Sequence, residues 1–362
     1  FQVPTGQGES IRLTIEAEMP SGENAVRLYF YRHSAGREPG RLADSKPVRL
    51  ILRPDIEWRS FHETTKAYQG PEHLWPQMLR AESRGFEFKP QSDFTLTARI
   101  SAGEFVLEPE WQYMVHRTLE AERGLDPASD LFSTGYFSLT LNGGGGEILE
   151  ARVASGAAAV EPGSPPRILP EIPLSWEPAE AMNAALDHYV VRRGELHTVI
   201  AGYPWFLDWG RDALIFVRGL IASGRTEPAR SVLKQFGRFE EGGTIPNMIQ
   251  GTDAGNRDTS DAPLWFFVAC EELLAAESRD EFLDEVWDGR SLRQILRSIG
   301  GHLLRGTANG IQVDPESGLL FSPAHFTWMD TNFPAGTPRE GYPVEIQALW
   351  CSALRFLSRI DS

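Results

Sequence analysis

Hydrophobic and polar residues alternate with a period of two through the first 155 residues of the chain. The alternating segments are SIRLTIEAEM (10–19), NAVRLYFYRH (24–33), PVRLILRP (47–54), DFTLTARI (93–100), EWQYMVHR (110–117) and GYFSLTLN (135–142). Turn-forming Gly, Asn, Ser and Pro residues separate these segments, as is typical of short antiparallel strands. The pattern predicts an N-terminal antiparallel β-sandwich over residues 1–155.

Proline dominates the segment that follows. Six of the 25 prolines lie between residues 155 and 178: Pro162, Pro165, Pro166, Pro170, Pro173 and Pro178. Because proline fixes φ and lacks a backbone donor, the segment 156–177 is predicted to be an extended linker between two domains.

From residue 178 onwards the apolar residues recur at spacings of three and four, which is the helical period. The predicted helices are 178–192, 210–223, 226–239, 261–276, 279–287, 290–305 and 343–360. The intervening loops are long and hold most of the unusual aromatic and charged residues, and such loops on a helical scaffold usually carry function. The pattern over 178–362 favours an α/α bundle or toroid, although it does not show whether a ring closes.

Charge and cysteine content exclude several classes of function. Fifty acidic residues against 35 basic ones give a net charge of −15, which argues against nucleic acid and anionic membranes as partners. The two cysteines form no Cys/His cluster, so we expect reduced thiols in a cytoplasmic protein and no metal site. No apolar run is long enough to span a membrane, and no phosphate-binding or dinucleotide-binding loop suggests a cofactor.

The most informative segment is AGYPWFLDWGRDALIFVR (201–218), which places Trp205, Trp209, Arg211 and Asp212 around the start of a predicted helix. An aspartate at this position often serves only the exposed N–H groups of the helix. The surrounding aromatic residues favour a second interpretation, in which Arg211 and Asp212 bind adjacent sugar hydroxyls and a tryptophan covers the apolar face of the ring.

A second cluster, DTSDAPLWFF (258–267), places Asp261 at the start of another helix. A carboxyl group there is a candidate general acid if its surroundings raise its pKa. The alternative is a capping aspartate, whose pKa the helix dipole would lower.

The third cluster contains Trp328 and Asp330 in TWMD and Glu345 in PVEIQALW. A glutamate early in a helix often only balances the helix dipole. Glycoside hydrolysis, however, requires two carboxyl groups on opposite sides of a sugar, so Glu345 and Asp330 are both candidates for the second one.

In their order along the chain, these motifs resemble the amylo-α-1,6-glucosidase half of glycogen debranching enzymes. The resemblance covers nearly all of 195–355, including GGTIPNMI (242–249) and GIQVDPESGLL (310–320). The segment VHRTLEAERGLDPASDLFSTGYF (115–137) is similar to the N-terminal domain of bacterial members.

This resemblance implies a β-sandwich followed by an (α/α)6 toroid, and hydrolysis of α-1,6-linked glucose stubs on a glycogen-like α-glucan with inversion and without a metal. It assigns the general acid to Asp261 and sugar binding to Trp209, Arg211 and Asp212, and extends sugar binding to Trp328, Asp330 and Glu345. The family toroid has about twelve helices, whereas seven are predicted here, and the family's general base lies nearer the C-terminus. We therefore expect a fragment, incomplete at its C-terminus, unless Glu345 or Asp330 takes the role of the base.

Three alternatives remain at this stage. One is another toroidal glycosidase, such as a trehalase or an α-glucosidase of different linkage. Another is a glucan-binding or scaffold protein without turnover. The third is a helical bundle whose tryptophans all lie in its core.

Overall fold

A computed structural model describes residues 1–20, 23–59, 63–122, 124–155, 177–203, 206–251, 253–278, 280–331 and 336–360. The chain divides into two compact units, Phe1–Glu171 and Ile172–Ser362. Of the proline-rich segment predicted to be a linker, only Glu177 belongs to the described residues, so that prediction lies outside them.

The larger sheet of the first unit is antiparallel, with seven strands in the order β1-β2-β3-β11-β8-β7-β6. These strands are β1 (Gln2–Pro4), β2 (Ser10–Glu18), β3 (Ala25–Arg32), β6 (Leu79–Glu82), β7 (Gly85–Gln91), β8 (Phe94–Ile100) and β11 (Gly146–Ser155). Two short helices, α1 (Pro71–Leu74) and α2 (Thr118–Glu122), lie in the connections.

The smaller sheet, also antiparallel, consists of four strands, in which β10 pairs with β4, β5 and β9. Its strands are β4 (Val48–Leu52), β5 (Asp55–Ile56), β9 (Glu104–His116) and β10 (Ala128–Leu141). One hydrophobic core joins the two sheets: Phe86 and Phe88 of the larger sheet lie in the same buried cluster as Phe132 and Phe137 of the smaller one. The antiparallel β-structure predicted from the alternation is therefore present.

The second unit is mainly helical and carries short two-stranded antiparallel sheets in its connections. The helices are α3 (Pro178–Tyr189), α4 (Gly210–Ala222), α5 (Thr226–Gly237), α6 (Ala262–Glu277), α7 (Leu292–Arg305) and α8 (Val344–Ile360). Three of the sheets described here are hairpins, which pair β12 (Val190–Arg193) with β13 (Leu196–Val199), β16 (Val286–Trp287) with β17 (Arg290–Ser291), and β18 (Gln312–Val313) with β19 (Leu320–Phe321). Another pairs β14 (Asp208–Trp209) with β15 (Met248–Ile249) across α4 and α5.

Two of the predicted helices differ from the structure. The last turn of 178–192 is strand β12, whose β-branched Val190 and Val191 pair with β13. The segment 279–287 was predicted to be a helix but contains only a 3-10 turn, Asp280–Asp284. So short a segment recovers little of the cost of helix nucleation, and its buried Phe282 and Leu283 anchor it as a turn.

Helix α6 is the central helix of the second unit. It packs against α4, α5 and α8, and most of its residues from Ala262 to Cys270 are buried. Because helices pack on several of its sides, this part of the helix is almost entirely apolar. Because α4 and α6 pack against each other, the chemistry at the start of one lies close to that at the start of the other.

Candidate active site

The start of α4 is fixed by a close approach of three segments. Strand β14 pairs with β15, and the Gly210 N–H donates to the Asn247 carbonyl oxygen at 2.8 Å. A Cβ atom on Gly210 would lie 2.4 Å from the Pro246 carbonyl oxygen and 3.2 Å from Cβ of Ala262, the first residue of α6. Only glycine allows this approach, which places Arg211 beside the start of α6.

An ion pair between Arg193 and the buried carboxylate of Asp208 holds β14 in place. The Asp208 carboxylate is fully buried and accepts hydrogen bonds from Arg193 Nη2 at 2.7 Å and Thr198 Oγ1 at 3.0 Å. Arg193 Nη1 also donates to the Gly251 carbonyl oxygen at 2.5 Å. Because a buried charge requires such partners, Asp208 anchors the strand that leads into the site.

Arg211 is the centre of the candidate site. Its Nε donates to Asp261 Oδ2 at 2.5 Å, its Nη1 to Asp330 Oδ2 at 3.3 Å, and its Nη2 to the Thr327 carbonyl oxygen at 2.8 Å. Burial alone would lower the pKa of the guanidinium, but the carboxylates of Asp261 and Asp330 outweigh this effect and raise it. One arginine thus joins residues from all three clusters that the sequence singles out.

Asp261 occupies the N-cap position of α6, but its side chain does not cap the helix. Instead the carboxyl group, which is almost fully buried, faces Arg211 and also accepts a hydrogen bond from Thr259 Oγ1 at 2.7 Å. The Ala262 N–H donates to that same Thr259 hydroxyl at 3.3 Å. Thr259 therefore does the capping, and the capping alternative for Asp261 is wrong.

Asp212 belongs to the same electrostatic environment. The residue is exposed, yet protein atoms around its carboxyl group partly desolvate it and raise its pKa. The positive charge of Arg211 and the residue's own backbone N–H oppose this shift, whereas the negative charges of Asp261 and Asp330 add to it. Asp212 is thus an accessible carboxyl group that holds its proton to higher pH than an ordinary aspartate.

Glu345 lies in a neighbouring arrangement with Arg339. Both carboxylate oxygens of Glu345 accept hydrogen bonds from Arg339 Nη2 at 2.5 Å, and the Arg339 guanidinium lies 5.7 Å from the centre of the Trp328 ring. Trp328 is about half exposed, so the tryptophans do not all lie in the core. The described contacts link Asp261 with Asp330 through Arg211, and Glu345 with Trp328 through Arg339.

The loop that carries Trp328 and Asp330 is held against the start of α6. The Ser260 N–H donates to the Phe326 carbonyl oxygen at 2.7 Å, and the buried hydroxyl groups of Ser260 and Ser322 share a hydrogen bond of 2.8 Å. Backbone strain marks the same loop, since His325 and Arg339 have φ values of 63° and 52°. Non-glycine residues persist in this region only where their surroundings fix them, often at functional sites.

Of the remaining predicted site residues, Trp209 is half-buried in β14, and Trp205 lies outside the described residues. Sequence reasoning missed Arg339 and the Arg193–Asp208 pair. Arg339 lies between two of the quoted motifs, and its contacts with Glu345 and Trp328 and its strained backbone are features that a sequence does not show.

The described residues contain no group of three or more His, Cys, Asp or Glu side chains arranged to hold a metal ion. None of the helices they contain combines the length and the hydrophobicity needed to cross a bilayer.

Comparisons with known proteins extend this picture. A solved structure of a protein assigned as a kojibiose phosphorylase from the human microbiome aligns with 98% of this chain and 49% of its own, with 10% identity and a TM-score of 0.48. The glycogen debranching enzyme of Saccharomyces cerevisiae is 27% identical over 247 residues, covering 52% of this chain. The chain spans 15% of the length of that yeast protein.

Two family models match the chain in sequence order. The model described as "Glycogen debranching enzyme N terminal" matches residues 2–147, within the β-rich unit, and the model described as "Amylo-alpha-1,6-glucosidase" matches residues 184–362. The second match contains every candidate site residue. The chain belongs to the glycogen debranching enzyme family.

Proposed function

We propose that this chain contributes the active site of a glycoside hydrolase that removes α-1,6-linked glucose stubs from a branched α-glucan. The observation that carries the proposal is the contact of Arg211 with both Asp261 and Asp330 at the paired starts of α4 and α6. Carboxyl groups beside exposed aromatic rings are the groups that glycosidases use. Family membership supports a glucan as the substrate.

In this proposal one glucose unit is held by polar and aromatic groups together. Arg211 and Asp212 bind adjacent hydroxyl groups, because a guanidinium donates and a carboxyl group accepts or donates according to its protonation. Trp209 and the exposed Trp328 cover the apolar faces of the sugar. Trp205 is proposed for the same role on the sequence motif alone.

Asp261 is the proposed general acid. It protonates the glycosidic oxygen as the bond to the anomeric carbon breaks, while a second carboxylate takes a proton from the water that attacks the opposite face of the sugar. Both oxygens of Asp261 accept hydrogen bonds in the structure. Sugar hydroxyls that draw Arg211 away from Oδ2 would leave that oxygen free to carry the proton.

For the second carboxylate the described residues offer Asp330 and Glu345. Asp330 shares Arg211 with Asp261, whereas Glu345 is held by Arg339. Inversion requires a separation of about 6.5–9.5 Å between the two carboxyl groups, to leave room for a water molecule. We propose one of these two residues as the base within this chain.

The finer architecture is part of the same proposal. The two sheets that share a core are interpreted as a β-sandwich with boundaries at 1–155, and helices α3–α8 within 178–362 as part of an (α/α)6 toroid. The enzyme would work without a metal or a cofactor in the cytoplasm, where its free cysteines, Cys270 and Cys351, stay reduced.

Glucose release from phosphorylase limit dextrin tests the proposal. If Asp330 or Glu345 is the base, the parent chain releases glucose, and Asp261→Asn releases none while it retains most of its affinity for the dextrin. Asp258→Asn is the matched control, since it removes an exposed carboxylate three residues away. Equal release by the parent and by Asp261→Asn would refute the assignment of the acid.

Glucan binding without turnover is the second candidate function, because Arg211 and Thr259 occupy both oxygens of Asp261. Dextrin binding by the parent without glucose release would fit that function or an enzyme whose base lies outside this chain, and the same assay on a longer chain would separate the two. The third possibility is a toroidal glycosidase of different linkage specificity. Glucose release from isomaltose, maltose and trehalose distinguishes it from an α-1,6-glucosidase, because each disaccharide contains one linkage type.

A further inference from the structure

The β18–β19 hairpin presents one apolar face and one polar-aromatic face. Gln312 lies opposite Phe321 in the register, and the adjacent residues Ile311 and Leu320 are fully buried. Because side chains alternate along a strand, Gln312 and Phe321 point away from the core on the same side, and Asp314 follows on that side. The segment GIQVDPESGLL thus anchors itself with one face and leaves the other available.

This outward face forms the floor of a cleft of about 290 Å³. Its lining residues are Gly310, Gln312, Asp314, Pro315, Phe321 and Tyr342. The Tyr342 ring packs edge-to-face on Phe321, with 5.9 Å between ring centres, and 46% of the residue remains exposed. The volume lies near the lower end of the range for small-molecule sites, about 300–1,000 Å³, which suits a short stretch of a flat ligand.

The polar groups of the cleft are suited to hydroxyl groups. Asp314 accepts hydrogen bonds from the backbone N–H groups of Glu316 and Ser317, and the Ser317 hydroxyl lowers its pKa, so its carboxylate is ionised and fixed in place. Gln312 is exposed and offers an amide that both donates and accepts. A held aromatic ring beside a carboxylate and an amide matches the alternating apolar and hydroxyl surfaces of a sugar.

The cleft shares its backbone framework with the site around Arg211, Asp261 and Asp330, here called the carboxylate site. Ser322, next to Phe321, pairs through its backbone with Gly341, next to Tyr342. The Ser322 hydroxyl in turn bonds to Ser260, next to Asp261. A ligand in the cleft would therefore be held by the same backbone framework that orders the start of α6.

We propose that this cleft, centred on Tyr342, Phe321, Gln312 and Asp314, is a second glucan subsite that binds α-1,4-linked glucose residues of the main chain. The identity of the ligand rests on the proposed function. In this proposal the branch glucose of a polymer binds at the carboxylate site, and glucose residues of its main chain bind in the polar-aromatic cleft. The protein thereby favours polymers over free disaccharides.

Calorimetric titration with maltoheptaose and, separately, with glucose tests this subsite. Tyr342→Ala is expected to weaken maltoheptaose binding roughly fivefold to tenfold, the effect of one lost aromatic contact, and to leave glucose binding unchanged. Tyr342→Phe should bind as the parent does, since it keeps the ring. Tyr68→Ala, which removes an exposed tyrosine of the other unit, is the matched control and should bind as the parent does.

Two outcomes would overturn the proposal: a parent protein that fails to bind maltoheptaose, or a Tyr342→Ala protein that binds it as tightly as the parent. Parallel loss of glucose and maltoheptaose binding would also count against it, because Tyr342 would then act through the carboxylate site. These readouts need no turnover, so they stay separate from the glucose-release test of the proposed function.

Discussion

Gly210→Ala is the most direct test of how the two helix starts are held together. The added Cβ would lie 2.4 Å from the Pro246 carbonyl oxygen and 3.2 Å from Ala262 Cβ, against an ordinary contact of about 3.4 Å or more. Because the nearest obstacle is backbone, no side chain can rotate to make room. To remove this clash, α4 must move by about 1 Å away from the loop that contains Pro246 and from the start of α6.

The magnitude follows from this geometry. Overpacking of a buried contact costs about 1–3 kcal/mol, so the free energy of unfolding should fall by that amount. The same displacement carries Arg211, the next residue, away from Asp261, which accepts from it at 2.5 Å. A misplacement of about 1 Å can reduce turnover by about a hundredfold, so glucose release should fall by one to two orders of magnitude.

Chemical denaturation measures the first effect, and the glucose-release assay measures the second. Gly219→Ala provides the control in the same helix, since its Cβ would meet only Leu186 Cδ2 at 4.0 Å. That exposed helical position should gain roughly 0.5–1 kcal/mol from the higher helix propensity of alanine. If Gly210→Ala were as stable as Gly219→Ala, the close approach would not determine the placement of α4, and the reasoning would fail.

Three further substitutions test the charges of the site. Arg211→Ala leaves Asp261 buried without its ion-pair partner and should destabilise the fold by about 3–5 kcal/mol in denaturation experiments. The double variant Arg211→Ala with Asp261→Asn should recover part of this stability. A double variant no more stable than Arg211→Ala would argue against the ion pair. For Asp212→Asn, the free energy of unfolding should be measured as a function of pH. The raised pKa of Asp212 means that its ionised form is disfavoured in the folded state. The parent should therefore match the variant below pH 3.8 and become less stable than the variant as the pH rises through the pKa of Asp212 in the folded protein. A flat difference across pH would contradict the shift. Arg339→Ala should lower the free energy of unfolding by about 0.5–1 kcal/mol, because it removes the partly exposed ion pair with Glu345. Arg339→Gly should lower it by less, because glycine adopts a φ of 52° without strain. If denaturation showed Arg339→Gly to be the less stable variant, the backbone of residue 339 would not be strained.

The fold was predictable wherever the hydrophobic period is strong. The prediction of helix 210–223 is confirmed within one residue by α4, which spans Gly210–Ala222, because its apolar positions recur regularly. Residues 190–192 were predicted as the end of a helix but form a strand, since pairing with β13 overrides the local pattern. Such pairing depends on residues that the periodicity of one segment does not contain.

The candidate site was predictable in composition but not in connectivity. The sequence singles out Arg211, Asp261 and Asp330 as members of three separate motifs, and the structure shows them in contact. Two helix starts meet only because α4 packs on α6 with a glycine between them, which is a tertiary fact. For the same reason, the sequence could not show that Thr259 caps α6 and leaves Asp261 free to face the arginine.

The balance of charge in the site connects its structure to the chemistry proposed for it. The guanidinium of Arg211 contacts the carboxylates of Asp261 and Asp330, and its charge also acts on the carboxyl group of Asp212. Partial burial raises the pKa of Asp212, the charge of Arg211 opposes this shift, and the negative charges of Asp261 and Asp330 add to it. Asp212 thus keeps its proton to higher pH than an ordinary aspartate, in the same electrostatic environment as Asp261, the residue proposed to protonate the glycosidic oxygen.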